Sequence, residues 1–353
     1  MGRNSLEERM RVLIVGLGSI GQRHVRNLRS LLGADIEIMA WRTRGLSHVL
    51  TDQLNVRQDV KLESYYDIQT ISNLDKALAQ RPDSVFVTNP SSLHMPVALA
   101  AAEAGCNLFI EKPLSHSLDD VARLLELVEQ RRLVTMVGYQ LRFHPCLRLV
   151  KEFLEREVIG SLLAARLECG EFLPGFHTYE DYRQTYPARR DLGGGVILSQ
   201  IHELDLVYWL FGMPRHLFAL GGHWSSFEID VEDIASILLE CRYEGRSLPV
   251  HIQQDFVQCP PSRKYEIVGE CGKIVVDLPA STVKVVGPET GQVATHPFKS
   301  FQRNQLFLDE LSHFLACLRG LETPIVTAHA GAQSLHMAMA AHQSIETGTV
   351  ISL

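Results

Sequence analysis

Six residues constrain this chain more than any others. Gly16-Leu17-Gly18-Ser19-Ile20-Gly21 follows an apolar run, Arg11–Val15, and leads into a helix-period segment, Ile20–Leu32. The apolar positions Ile20, Val25, Leu28 and Leu31 or Leu32 fall on one face of that segment. At a strand–helix junction the first glycine permits a tight turn. The second lets backbone approach a pyrophosphate, and the third lets helix and strand pack closely. The helix N-terminus then offers free N–H groups and a partial positive charge to the phosphates. Without that setting the same glycines serve a plain turn, so the surrounding pattern decides.

That pattern is alternation. Ile36–Ala40, Ser84–Thr88, Asn107–Ile110 and Leu133–Val137 read as strands, with a short apolar segment at Ile68–Ile71. Between them lie a helix capped by Ser72 or Asn73, one over Leu93–Ala104 stopped by Gly105, and one over Leu118–Gln130. Thr51–Tyr66 shows no clear period. Strands alternating with helices predict a doubly wound parallel sheet covered on both faces. Beyond Pro145–Glu157, a helix, and Ala164–Glu171, a strand, the pattern changes. A polar, aromatic loop, Phe172–Leu192, precedes a glycine triplet that opens a helix reaching Phe211. Then come strand-like runs with no long helix between them: Ile234–Cys241, Val250–Phe256, Tyr265–Val268, Lys273–Val276 and Val283–Val286. These predict an α+β unit with an open, mostly antiparallel sheet. Two helices, near Gln302–Leu318 and Ala328–Thr347, close the chain. The expected division is 10–143 for a dinucleotide-binding Rossmann domain and 144–353 for a second, substrate-binding domain.

Composition agrees with two domains: 353 residues, 46% hydrophobic and 21% charged. No apolar run approaches the roughly 18–20 residues that span a bilayer, and the polar N-terminus lacks the apolar core of a signal peptide. A net charge of −7 gives no electrostatic footprint for nucleic acid. The seven cysteines are odd in number and contain no C-x-x-C pair. They read as thiols of a reducing cytoplasm rather than a metal site.

About 20 residues past the last glycine, an NAD site usually carries an acid for the ribose 2′-OH. Here the second strand ends in Trp41-Arg42-Thr43-Arg44. Two guanidiniums suit a 2′-phosphate, so NADP is the expected cofactor, with NAD possible and a solvated basic loop as the bland alternative. Trp41 or Arg42 is also placed to stack on adenine. Other strand ends carry Thr88-Asn89-Pro90, Glu111-Lys112-Pro113 and Gly138-Tyr139-Gln140. In a doubly wound sheet these carboxyl ends form the ligand crevice.

At this point the residues resemble the glucose–fructose oxidoreductase/inositol dehydrogenase family (Gfo/Idh/MocA). The matching pieces are Gly16–Gly21, Thr88-Asn89-Pro90 with His94, Glu111-Lys112-Pro113 and Gly138-Tyr139 with Arg142-Phe143. Asp191-Leu192-Gly193-Gly194-Gly195 and His202-Glu203-Leu204-Asp205 match as well, as does the closing Ser344-Ile345-Glu346-Thr347-Gly348. The resemblance implies Lys112 at the nicotinamide and substrate hydroxyl, and His202 on a helix facing the nicotinamide. It also implies Asn89, His94 and Gln140 in the cofactor pocket, and an open sheet that covers the active site and mediates homo-oligomer contacts. The cofactor set is then Gly16, Gly18, Ser19, Ile20, Gly21, Trp41, Arg42, Arg44, Asn89, Pro90, His94, Glu111, Lys112 and Gln140. One departure stands out: where relatives carry an aspartate one helical turn before the histidine, this chain has Leu198. Asp205, three residues after His202, shares its helical face and is the alternative partner for the imidazole, or else an interdomain hydrogen-bond group.

Oxidising a secondary alcohol requires a proton acceptor beside the departing hydride. A histidine suits that task near neutral pH, whereas an unperturbed lysine is a poor base but can polarise or relay. Lys112 and His202 are therefore the expected catalytic pair, transferring hydride between a nicotinamide and a hydroxyl or keto carbon of a sugar. Tyr139, Arg142, Tyr182, Arg189 and Asp205 are candidates for the substrate pocket. In Phe172–Leu192, His177, Tyr179, Tyr186, Arg183 and Arg190 suit a sugar bearing an acidic group, or else face solvent. The stretch Tyr179–Asp205 resembles a subgroup linked to modified amino sugars or acidic nine-carbon sugars, which favours a sugar over an inositol. Two competing readings are a redox-neutral glycosidase or epimerase with tightly held nicotinamide, and a non-catalytic dinucleotide-sensing regulator.

Overall fold

The apolar runs of the first 140 residues become buried parallel strands. The structure, a computed structural model, describes residues 9–42, 48–51, 54–57, 60–287 and 293–353. Its first part runs β1 (Met10–Val15), α1 (Ser19–Leu32), β2 (Ile36–Trp41), the short β3 (Val49–Leu50) and β4 (Val56–Arg57), α2 (Leu62–Tyr66), β5 (Gln69–Ile71) and α3 (Leu74–Leu78). It continues with β6 (Ser84–Val87), α4 (His94–Glu103), β7 (Asn107–Glu111), α5 (Val121–Arg131) and β8 (Thr135–Gly138). Strand order is β5-β2-β1-β6-β7-β8, all parallel. The chain leaves β1 toward β2 and later returns to β6 on β1's other side. The order therefore reverses between β1 and β6, and their carboxyl ends flank the crevice expected to take a ligand. Val12, Leu13 and Ile14 are fully buried, as a strand covered on both faces requires.

The second part comprises α6 (Pro145–Glu155), β9 (Leu162–Phe172), α7 (Val196–Ser199), α8 (His202–Phe211), β10 (His216–Gly222), β11 (Ile234–Tyr243) and β12 (Arg246–Asp255). Then come β13 (Val257–Gly269), β14 (Gly272–Asp277), β15 (Thr282–Val286), β16 (Val293–Pro297), α9 (Arg303–Leu318), α10 (Ala328–Thr347) and β17 (Ile351–Ser352). The sheet order is β16-β15-β14-β13-β9-β12-β11-β10-β17. β12 pairs with β9 in parallel, and the other neighbours run antiparallel. One face is packed: Ala235, Ile237, Leu239 and Cys241 of β11 are buried, while Leu238 between them is 53% exposed. This period of two is what an open sheet with one covered face demands. α8 and α10 supply the cover.

The structure departs from the sequence pattern in three places. The helix expected to run unbroken from the glycine triplet to Phe211 is split at Gln200. The Gln200 carbonyl accepts from Gln254 Nε2 at 2.5 Å, and its own Nε2 donates to the Asp255 carbonyl at 2.9 Å, so the end of β12 takes over the bonding of that turn. Thr51–Tyr66, without a clear period, contains β4 and α2. The third is a return of the chain: α9 packs on α1, with Arg23 Nη1 donating to Asn304 Oδ1 at 2.9 Å. Val137 N–H likewise donates to the Val326 carbonyl at 3.0 Å. Among the described residues no helix is long and apolar enough to cross a membrane, no His/Cys/Asp/Glu group is arranged to hold a metal, and all seven cysteines are free thiols.

A buried ion pair ties the two sheets together. Arg142, four residues past β8, donates through Nε and Nη2 to both oxygens of Asp205 on α8, at 2.9 and 2.7 Å. Its Nη1 donates to the Ile325 carbonyl, and Ser334 Oγ of α10 donates to Asp205 Oδ1. Arg142 is 4% exposed and Asp205 1%. Both charges are thus desolvated, and removing one leaves the other uncompensated. Asp205→Leu is expected to cost about 3–5 kcal/mol in chemical denaturation, with Arg142→Met in the same chain restoring most of it. A single variant as stable as the parent would contradict this role.

Candidate functional site

Three glycines shape the loop between β1 and α1. Gly16 has φ +100°, and a Cβ there would lie 2.9 Å from Asn89 N and Thr88 O. A Cβ on Gly21 would meet the Gly16 carbonyl at 2.1 Å, so this glycine lets α1 press against the loop. Thr88 Oγ1 donates to the carbonyls of Gly16 and Val15, at 2.7 and 3.0 Å, and clips the loop to the end of β6. Gly18 caps α1 and has nothing within 4 Å of a would-be Cβ. The first helical bond runs from Gln22 N–H to the Gly18 carbonyl, so the N–H groups of Ser19, Ile20 and Gly21 are unused within the helix. An open cradle at the N-terminus of a 14-residue helix fits the pyrophosphate of a dinucleotide.

That cradle opens into a cavity of 740 Å³ shared by both sheets. The first sheet lines it with Gly16, Gly18, Ser19, Ile20, Arg42, Asn89, Pro90, His94, Glu111, Lys112 and Gln140. His94 sits between two strand ends, its nitrogens each 2.8 Å from a carbonyl, those of Asn89 and Pro113. Burial pulls its pKa below the usual value despite both contacts. Asn89 donates through Nδ2 to the Leu93 carbonyl, while its Oδ1 is buried without a partner. Glu111 is tied to the buried His24 at 2.7 Å and lies against Gly138, where a Cβ would be 3.2 Å from its carboxylate. Gly21 and Trp41 do not line the cavity; Gly21 serves packing, and the Trp41 carbonyl accepts from Gly16 N–H at 3.0 Å. Arg44 lies outside the described residues.

Lys112, just past β7, and His202, the first residue of α8, both line this cavity. Lys112 Nζ donates to the Ser199 carbonyl at 2.7 Å, at the end of α7 and three residues before His202. His202 is 4% exposed, and its Nδ1 is buried with no hydrogen-bond partner. Burial, together with the charges of Lys112, Arg263 and Arg303, holds its pKa well below 6.5. No carboxylate orients the ring: Asp205 is committed to Arg142 and Ser334. The Tyr139 ring instead meets the imidazole edge-on, with centroids 5.7 Å apart at 80°.

None of the five candidates for the substrate pocket lines the cavity. Tyr139 is fully buried behind His202, and Arg142 and Asp205 neutralise each other in the interior. Tyr182 packs by its ring against Phe227. Arg189 pairs with Asp191, and its loop neighbours Arg183 and Arg190 bond to Asp181 and Asp230. Asp181 and Asp191 satisfy Arg183 and Arg189, and the Asp230 backbone carbonyl holds the Arg190 guanidinium, which is why an arginine-rich loop does not by itself make an anion pocket. The wall is built instead by Glu171, Phe176, His177, Tyr179 and Tyr186, with Arg263 from β13 and Arg303 from α9. His177 Nε2 lies 3.4 Å from Ser19 Oγ, so this loop reaches across to the glycine cradle. Arg263 is fixed by Glu203, with bonds of 2.7 and 2.9 Å. No local pattern marks Arg263 or Arg303, which lie more than 60 residues downstream of His202 in unrelated elements.

Comparison with known proteins agrees with this geometry. Residues 10–139 match the GFO/IDH/MocA model for an oxidoreductase family with an NAD-binding Rossmann fold. Residues 151–353 match the model of that family's C-terminal alpha/beta domain. Myo-inositol 2-dehydrogenase of Thermotoga maritima is 25% identical over 352 residues, 98% of each chain. Inositol 2-dehydrogenase/D-chiro-inositol 3-dehydrogenase of Shouchella clausii is 30% identical over 288 residues, 77% of this chain and 73% of that one. The fold is shared with levoglucosan dehydrogenase solved with NADH and levoglucosan, at a TM-score of 0.80 and 17% identity over 97% of this chain and 99% of that one. With both halves matched in sequence and the whole matched in fold, the chain belongs to the GFO/IDH/MocA oxidoreductase family.

Proposed function

We propose that this protein is a nicotinamide-dependent dehydrogenase or reductase acting on a hydroxyl or keto carbon of a sugar or sugar derivative. The observation that carries the reading is the convergence of Lys112, His202 and the glycine cradle on one cavity. Relatives named for inositols and levoglucosan support a polyhydroxylated substrate. They also weigh against the redox-neutral and regulatory alternatives. Residues 10–143 are assigned to the cofactor and 144–353 to the substrate. Arg42, lining the cavity just past β2, supports acceptance of NADP(H) alongside NAD(H). Seven free thiols support a cytoplasmic setting. Leu220 and Leu238, exposed on the uncovered sheet face, support a homo-oligomer. Light scattering is expected to give at least a dimer mass, and a monomer at micromolar concentration would contradict this assignment.

When bound, a nicotinamide dinucleotide supplies the acceptor or donor of hydride. The protein's part is to place the substrate and move its proton. Lys112 Nζ, anchored on the Ser199 carbonyl, donates to the hydroxyl oxygen and stabilises the negative charge that develops there. His202, kept neutral by burial and by three neighbouring cations, is free to accept the hydroxyl proton. In reduction the same two groups return it to the nascent hydroxyl.

Screening sugars and polyols with NAD(P)+ and their keto forms with NAD(P)H, by cofactor absorbance, tests the reading; no turnover across the panel would contradict it. Lys112→Ala and His202→Ala are each expected to keep dinucleotide binding and lose roughly 10²–10⁴-fold in turnover. Parental rates in either variant refute the assignment. Because the His202 pKa is lowered, its proton-accepting form persists as pH falls through 6.5. The acid limb of kcat/KM for oxidation is therefore expected below pH 6.5, and a limb above that value excludes His202 as the acceptor. Gly18→Ala is expected to leave melting temperature unchanged, since φ is −70° and no atom lies near the added methyl. It should still weaken dinucleotide binding about ten-fold or more by filling the pyrophosphate cradle; unchanged affinity would place the ligand elsewhere.

A further inference from the structure

The end of β2 holds an ion pair that the order of residues along the chain hides. In a Rossmann sheet the residue just past the second strand faces the adenosine ribose, where a carboxylate suits a 2′-hydroxyl and an arginine suits a 2′-phosphate. This chain presents Arg42 there, lining the cavity. In the fold, Arg42 is bonded to Glu63, which α2 delivers from 21 residues downstream. Glu63 also accepts from Thr70 Oγ1 at 3.5 Å. Thr70 lies on β5, whose pairing with β2 sets Ala40 opposite Thr70 and Trp41 opposite Ile71. The carboxylate is therefore built into the sheet's edge beside the end of β2. Arg42 and Glu63 side chains are 18% and 35% exposed, so water screens the pair only in part.

We propose that Glu63 sets the dinucleotide preference of this site by holding Arg42, turning a residue suited to NADP(H) into one that favours NAD(H). This rests on the assignment of the cavity to a nicotinamide dinucleotide. With a 2′-hydroxyl, the Arg42–Glu63 pair stays intact and adds no net charge to the pocket. A 2′-phosphate must displace Glu63 from the guanidinium and then remain beside the released carboxylate, where like charges repel. Glu63 is a positioning residue: it acts through Arg42, not by touching the reacting atoms.

The test is a binding titration of NADH and NADPH, by fluorescence or calorimetry, on the full chain and its variants. Glu63→Gln keeps the shape and removes the charge. It is expected to move the ratio of NADPH to NADH affinity about ten-fold toward NADPH, by an amount that shrinks as salt is raised. Glu63→Asp, which keeps the charge, should retain most of the parental ratio. In an Arg42→Leu background only the direct repulsion between Glu63 and a 2′-phosphate remains, so the Glu63→Gln change should move the ratio several-fold less than in the parent. An unchanged ratio in Glu63→Gln overturns the proposal while leaving the dinucleotide site standing. A shift of undiminished size without Arg42 overturns the coupling between the two residues. Failure of the parent chain to bind either dinucleotide overturns the site assignment and this proposal with it.

Discussion

The Arg142–Asp205 pair is the constraint on which the site's geometry depends. Arg142 follows β8 at the carboxyl edge of the parallel sheet, and Asp205 lies one helical turn past His202. Their two-pronged bond, extended to Ser334 and to the Ile325 carbonyl, fixes the rotation of α8 against the strand ends that carry Lys112 and Gln140. A fully desolvated pair gains little net stability over apolar packing, yet it tolerates only one geometry. That suits a cavity lined by Lys112 from the edge of the parallel sheet and by His202 from α8. A rotation of α8 would carry His202 away from Lys112 and also strand a buried guanidinium.

Around that anchor the site is organised by charge and by packing. Lys112 is pinned to a backbone carbonyl on the element before α8, so lysine and histidine share a common support. The imidazole is oriented by Tyr139 and by burial, not by a carboxylate. A carboxylate at that point would raise the histidine's proton affinity, whereas three cations around His202 lower it. Burial and these cations thus keep the ring neutral, with Leu198 and no acid one helical turn before it.

Much of this was legible in the sequence because it is local. The glycine loop, the alternation of strand and helix, and the period-two burial of β11 and β12 each lie within a short window. Lys112 was readable because Pro113 and an apolar strand bracket it at a sheet edge. What escaped was non-local. Glu63 reaches Arg42 only because the fold brings α2 beside the end of β2, and Arg263 reaches the cavity only because β13 pairs with β9. The split at Gln200 depends on hydrogen bonds from Gln254 and to Asp255, more than 50 residues away. The arginines of the Phe172–Leu192 loop misled for the converse reason: the carboxylates of Asp181 and Asp191 and the backbone carbonyl of Asp230 satisfy them. A charge count along the chain cannot show which charges remain available.

The central claim is that a bound nicotinamide and this Lys112–His202 cavity exchange hydride with a sugar carbon. Isotope transfer tests it most directly. The protein is incubated with nicotinamide cofactor deuterated at the transferable C4 position and a panel of keto sugars, and the sugars are analysed by mass spectrometry. One deuterium is expected on the carbon that becomes a carbinol, in amount equal to cofactor oxidised, with that label abolished in the Lys112→Ala, His202→Ala double variant. Product formed without deuterium on carbon, or label transferred equally well by the double variant, would contradict it.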